Sequence, residues 1–259
     1  MKNIIKAQLY QIRKSSFIFI VFLAVLVMQL ANMMGEWSYR GDKMYGSTYI
    51  AANGFYMTLV ALIFAIVSTG YVCGSDFNDK TANYELMSGH LRKQVYFGRA
   101  IISLAGGGIG AALIIAAPVV IATIACGWGN DIRMLDAIIR FMLVLLPVLR
   151  IICEFIFLTY VVKNAYVIMA CGFFTYILGS ALPEYLGRSE SVLLGVTNLS
   201  KLCSFESWMT YTVGEMNIYT VYEADVSGND VVTTLLASVI IGGLFLIIGY
   251  LYFKKDDMN

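Results

Sequence analysis

Few residues in this 259-residue chain are suited to chemistry, and they sit in unusual places. Arg150 and Glu154 stand four apart within an apolar run from about Leu135 to Val162, so on a helix they share one face. A lone arginine near mid-bilayer costs about 2.5–3.5 kcal/mol on insertion scales, so it must face the protein interior or a wet cavity and find a partner. Glu154 is the nearest candidate. The two read either as a buried ion pair or as polar lining of a translocation path. Arg140 and Asp136 repeat the spacing near the other end of the run, where snorkelling makes a charge cheap. A third charged group lies in KTANYELMSGHLRKQVYFGRA (80–100), which separates two oily runs at 58–73 and 106–126. It holds Glu85, the only histidine, His90, and the cations Arg92, Lys93 and Arg99.

Bond-making chemistry finds no residues arranged for it. The sequence has no H-E-x-x-H, no paired intramembrane aspartates and no serine–histidine pair, so an intramembrane enzyme is set aside and no catalytic residue is assigned. One histidine with scattered cysteines (Cys73, Cys126, Cys153, Cys171, Cys203) and no C-x-x-C makes neither a metal nor a cofactor site. The cysteines read as small apolar packing residues. Spacing leaves a Cys126–Cys203 disulfide open. No G-x-x-x-x-G-K-[ST] occurs, so the chain has no phosphate cradle for ATP.

The elements that must position these charges are apolar helices. The chain is 59% hydrophobic and 14% charged, against roughly 25% charged in soluble domains, and its mean hydropathy is +0.74. Its apolar runs approach the ~20 residues that cross ~30 Å of hydrocarbon. An all-α polytopic membrane protein follows, one domain of six spans at about 17–34, 55–72, 98–126, 135–162, 165–182 and 231–253. The break at Lys163-Asn164 forces the fourth and fifth spans into a tight hairpin. Lys2, Lys6, Arg13, Lys14, Lys80, Arg92, Lys93, Arg99, Lys163, Lys254 and Lys255 fall on one side. Arg40, Lys43, Arg133, Arg188 and Lys201 fall on the other. The basic side is expected to be cytoplasmic, with both termini inside. The basic, then apolar, start also suits a signal peptide, but the apolar core is long and no A-x-A follows at 29–36, so it is read as an uncleaved first span. Before it, Ile5, Leu9 and Ile12 share a helical face, with Lys2, Lys6 and Arg13 about opposite Ile4. That pattern suits a helix lying in the inner interface, or a plain basic flank.

The stretch from about Gly74 to Phe97 is longer than a connection needs. Tyr84, Leu86, Met87 and Leu91 can form a short apolar face ringed by Asp79, Lys80, Glu85, Arg92 and Lys93. Such a helix can dock in a groove on a soluble partner. The residues alone fit a solvated positive-inside loop equally well. In the third span, Gly106-x-x-x-Gly110 offers a face for close helix packing, and Pro118 permits a kink or gate. The segment 183–230 carries seven acidic residues against Arg188 and Lys201. An acidic rim there suits capture or release of cationic ligands, although ordinary solvation explains it too. Within it, 191–199 and 207–213 are too short to span and are expected to be re-entrant or external helices.

The 80–100 stretch resembles the cytoplasmic loop after the second span of ABC-2 type transporter permeases, approximately G-T-x-K-x-x-L-x-S-G-x-S-R-x-x-x-Y-x-x-K. The matching residues are Lys80-Thr81, Glu85-Leu86, Ser88-Gly89-His90-Leu91-Arg92, Tyr96 and Arg99, with departures at Lys80, Leu91 and Arg99. The ending GYLYFKKDDMN resembles that family's last span and basic-basic-Asp tail. The resemblance implies a coupling helix formed by Lys80, Thr81, Glu85, Leu86, Gly89, His90, Leu91 and Arg92. It implies two copies of a separate ATPase subunit carrying ATP and magnesium, and a second permease copy. It also implies a place in the bacterial cytoplasmic membrane. Six-span members with this loop look most like those exporting peptides, such as bacteriocin immunity permeases and exporters of phenol-soluble modulin-type toxins. The substrate expected by analogy is therefore an amphipathic peptide, with lipids or hydrophobic drugs as the alternative. An ATP-independent channel is the competing class, and it has no use for a docking loop.

Overall fold

The computed structural model describes residues 2–40, 44–78, 87–130, 132–170, 212–213, 218–219 and 228–255. Six long helices dominate: α1 (Lys2–Lys14), α2 (Ser16–Arg40), α3 (Gly46–Asn78), α4 (Arg92–Cys126), α5 (Met134–Val162) and α6 (Gly228–Lys255). Five of them, all but α1, contain stretches long and apolar enough to cross a membrane. The sequence-predicted spans at 17–34, 55–72, 98–126, 135–162 and 231–253 each fall inside one of these helices. At 1.5 Å per residue α4 is about 52 Å long, so it extends well past ~30 Å of hydrocarbon. The fifth predicted span, 165–182, begins as helix over 165–170, and the rest of it lies outside the described residues.

Local chemistry sets the breaks between helices. Ser15 separates α1 from α2; its Oγ accepts the Phe17 N–H at 3.3 Å, as an N-cap does, and shares a 2.7 Å hydrogen bond with the Tyr71 hydroxyl. After α5, Lys163 adopts a left-handed conformation (φ 55°), and its N–H returns to the Thr159 carbonyl. Asn164 then caps the next helix, its Oδ1 accepting the N–H groups of Tyr166 (3.0 Å) and Val167 (3.2 Å). Two residues thus reverse the chain, as the hairpin reading requires.

The core forms around α3. In its apolar stretch 78% of residues are buried, against 17% in α2 and 22% in α6, so α3 is central and the other two are peripheral. The main core joins Val60, Phe64 and Cys73 of α3 to Tyr96, Ala111 and Ile114 of α4 and to Val148, Ile152 and Ile156 of α5. A second cluster, including Met33, Met44, Tyr49, Met57 and Ile132, fills the far end of the bundle. There the α3 N-terminus is held by backbone bonds from Gly46 N to Gly127 O (3.0 Å) and from Ser47 N to Trp128 O (2.8 Å).

Three expectations need correction. Gly110 is packed so tightly that an added Cβ would strike the Phe64 ring, but Gly106 has nothing within 4 Å. The buried stripe runs through Ser103, Gly107, Gly110 and Ile114, and Gly106 lies a further step round the helix, on its exposed side. Arg140 does not snorkel outward: it is 3% exposed, on the inward face of α5. Thr212–Val213 pair antiparallel with Ile218–Tyr219, so the end of the 207–213 run is extended rather than helical. These β-branched and aromatic residues suit a strand. The 191–199 run lies outside the described residues.

Candidate functional site

The first four residues of the expected coupling helix, Lys80, Thr81, Glu85 and Leu86, lie outside the described residues. What the structure describes is the approach to α4. Gly89 turns the chain with φ +89°, a conformation that suits glycine. Leu91 is extended (φ −68°, ψ 137°) and α4 begins at Arg92. Met87 (81% exposed) and Leu91 (66%) present apolar side chains away from the bundle. His90 is half-buried between them in sequence.

Arg92 turns the other way. Its Nη1 donates to the carbonyls of Phe253 (3.2 Å) and Lys254 (2.8 Å) in the last turn of α6. A cation on unpaired C-terminal carbonyls is favoured by both hydrogen bonding and the helix dipole. One turn along, the Tyr96 hydroxyl donates to the Leu246 carbonyl (3.0 Å), and its ring meets those of Tyr160 (4.7 Å between centroids), Phe97, Tyr250 and Phe253. Gly249 admits this tyrosine, since a Cβ there would collide with the Tyr96 hydroxyl. Arg92 and Tyr96 therefore bind the start of α4 to the end of α6, with Tyr160 of α5 in the same aromatic cluster. Arg99, next on this face, is fully buried. α1 completes this end of the bundle. Ile4 and Gln8 are buried, and Ile4 lies 3.0 Å from where a Gly98 Cβ would be. Leu9 stays exposed, and Ile5 and Ile12 are partly so, which leaves the expected apolar stripe facing outward.

At mid-helix the expected ion pair is present: Arg150 Nε lies 3.3 Å from Glu154 Oε1. The two side chains are 15% and 28% exposed, so the pair is partly exposed rather than sealed in the core. Arg150 is sixteen residues, or about 24 Å, from the start of α5, close to the middle of that helix. Pro147, three residues earlier, removes one backbone hydrogen bond near the pair. Gly242 of α6 lies against this turn: a Cβ there would sit 3.4 Å from Cys153 Sγ and 3.6 Å from Arg150 Cα.

Sequence reasoning missed a polar seam between α2 and α3. Asn32 Nδ2 donates to Asn53 Oδ1 at 3.2 Å. One turn deeper Gln29 is fully buried, and its amide makes no hydrogen bond to the described residues at either end; Asn53 Nδ2 is likewise buried without an acceptor among them. Gln29 stands thirteen residues, or about 20 Å, into α2. The sequence signal was Gln29-x-x-Asn32 within an apolar run, a helical spacing of uncharged amides that a search for charges passes over. Nearby, a cavity of about 210 Å³ opens among α3, α4 and α5, with Met57, Val119, Trp128, Phe141 and Arg140 on its walls.

Of the two glycines expected to pack helices, Gly110 does so and Gly106 does not. Cys126 carries a free thiol, and Cys203 lies outside the described residues. Taken together, the described residues form a helical bundle whose class is set by five helices long and apolar enough to cross a membrane. No protein-family model matches the chain, and no curated protein is significantly similar to it.

Proposed function

We propose that this chain is the membrane-spanning permease subunit of an ATP-binding cassette exporter, driven by a separate ATPase. The observation that carries the reading is the bond between the start of α4 and the end of α6 through Arg92 and Tyr96. A soluble motor can move a membrane bundle only through a rigid handle, because a soft link would absorb the displacement. Here the segment 79–91 leads directly into a helix start locked to a second helix, with Met87 and Leu91 exposed beside it as apolar anchors. A push on that segment would be delivered to α4 and α6 together.

Six spans and a shared side for the two chain ends belong to the same reading. Ile4 meets Gly98 near the start of α4, and Arg92 holds the end of α6, which supports placing both at the basic end of the bundle. α5 and α6 both finish at that end, which supports the proposal of one more span between them, at 165–182. The helix at 165–170 supports a sixth span there. The basic end is then cytoplasmic by the lysine and arginine bias, in a bacterial cytoplasmic membrane.

The substrate proposed is an amphipathic, cationic peptide. The partly exposed Arg150–Glu154 pair and the amide seam at Gln29 and Asn53 support polar contacts on otherwise apolar helices, and the acidic sequence of 183–230 supports a cationic ligand. The test is reconstitution of the chain with its ATPase, followed by hydrolysis assays with amphipathic peptides, lipids and hydrophobic drugs. Saturable stimulation by peptides is expected. Stimulation by lipids or drugs alone would overturn the substrate, and ion conductance by the chain without ATP would overturn the class.

A further inference from the structure

A cavity of about 460 Å³ lies at the elbow between α1 and α2, where Arg13, Lys14 and Ser16 surround its mouth and Phe19, Phe22 and Phe64 line its depth. We infer that it is a binding site for one anionic phospholipid of the leaflet at the basic end of the bundle. The inference stands apart from the transport reading, because it needs only the membrane and this elbow.

Three observations select that ligand. First, the polarity changes along the membrane normal as it does along a phospholipid. The two cations end α1, which lies at the rim, and the aromatic wall runs about 9 Å inward from Ser16 to Phe22. Phe22 meets Phe64 edge-on, with ring centroids 5.5 Å apart, and so closes the deep end. Second, no acidic side chain offsets this charge among the described residues: none lines the cavity, and Arg13 and Lys14 are exposed and form no ion pair with them. A phosphodiester at headgroup depth supplies the missing anion, whereas a zwitterionic lipid brings its own cation. Third, Phe19 is 65% exposed on the lipid-facing side of α2, so an acyl chain can enter sideways from the bilayer. The fixed angle of the elbow keeps the cations over the groove, since Ser15 is tied both to the Phe17 N–H and to Tyr71.

The experiment places a reporter in the groove. A Phe19→Trp variant is put into phosphatidylcholine nanodiscs in which either phosphatidylglycerol or part of the phosphatidylcholine carries bromine on its acyl chains. Quenching is read as the difference from the parent protein, whose own tryptophans are at positions 37, 128 and 208. Brominated phosphatidylglycerol should quench the added tryptophan roughly tenfold more effectively at equal mole fraction. Replacing Arg13 and Lys14 together by Gln should abolish that preference, and soluble glycerol phosphate should not compete. Native mass spectrometry of the unmodified chain is the second measurement: a single phosphatidylglycerol should be retained, and lost in the Arg13→Gln, Lys14→Gln variant. Equal quenching by the two lipids, a preference that survives the double substitution, or displacement by glycerol phosphate would each overturn the lipid site.

Discussion

A guanidinium and a carboxylate lie 3.3 Å apart in mid-helix, each offsetting part of the cost of placing the other in an apolar run. Removing one partner leaves an uncompensated charge, and the cost is expected to be about 2 kcal/mol or more, at the low end because both side chains keep some exposure. Arg150→Leu and Glu154→Leu should each lower the thermal midpoint of the purified protein, and the double substitution should recover most of the loss. Equal midpoints for all four proteins would contradict the pair. Gln29 poses the opposite case, a neutral amide buried with no partner at either end among the described residues. Gln29→Leu should raise stability by about 1 kcal/mol or more while lowering transport, which calorimetry and a flux assay separate. Glycines 106 and 110 form an internal control. Gly110→Ala must displace Phe64 and should cost about 1–3 kcal/mol, whereas Gly106→Ala meets nothing and should gain up to ~1 kcal/mol from helix propensity. The ion pair was legible in the sequence because charges stand out in an apolar run. The choice among glycines was not, since Gly106, Gly107 and Gly108 each begin a small-x-x-x-small pattern and only the neighbouring helix decides which one is used.

Among the elements, α4 carries the most consequence. Its first residue caps a helix 161 positions later, and its Tyr96 ring anchors three helices in one aromatic cluster. Losing two charged cap bonds should loosen the last turn of α6. Arg92→Leu is therefore expected to speed amide hydrogen exchange across 250–255 at least severalfold, with little change at the far end of the bundle. Unchanged exchange there would mean that the cap contributes nothing. The existence of α1 to α6 could be read from apolar runs and, at α1, from a basic amphipathic pattern, because hydrocarbon thickness dictates helix length. The Arg92 cap could not be read, because spacing within one stretch carries no information about which distant helix end lies beside it. For the same reason the wheel located the apolar stripe of Ile5, Leu9 and Ile12, but only packing revealed that the Ile4 and Gln8 side is the one pressed on α4.

For the whole molecule, the two ends of the bundle are built differently. The far end is closed by backbone bonds between the start of α3 and the residues just after α4, and by a dense methionine and aromatic cluster. The basic end is held by side chains and presents Met87 and Leu91 outward. Under the proposed function, this contrast would give a motor a handle at the basic end and a bundle that transmits its motion. The apolar flanks of α2 and α6 remain open to lipid or to a second copy of the chain. The proposed function depends on a motor protein meeting the segment before α4. A photo-crosslinking amino acid at Met87, activated in intact cells, tests that contact directly. The expected product is an adduct with a soluble protein that carries a phosphate-binding G-x-x-x-x-G-K-[ST] loop, and it should weaken when Leu91 is changed to Ser. A well-inserted chain that gives no such adduct, or that crosslinks only to lipid, would contradict the account.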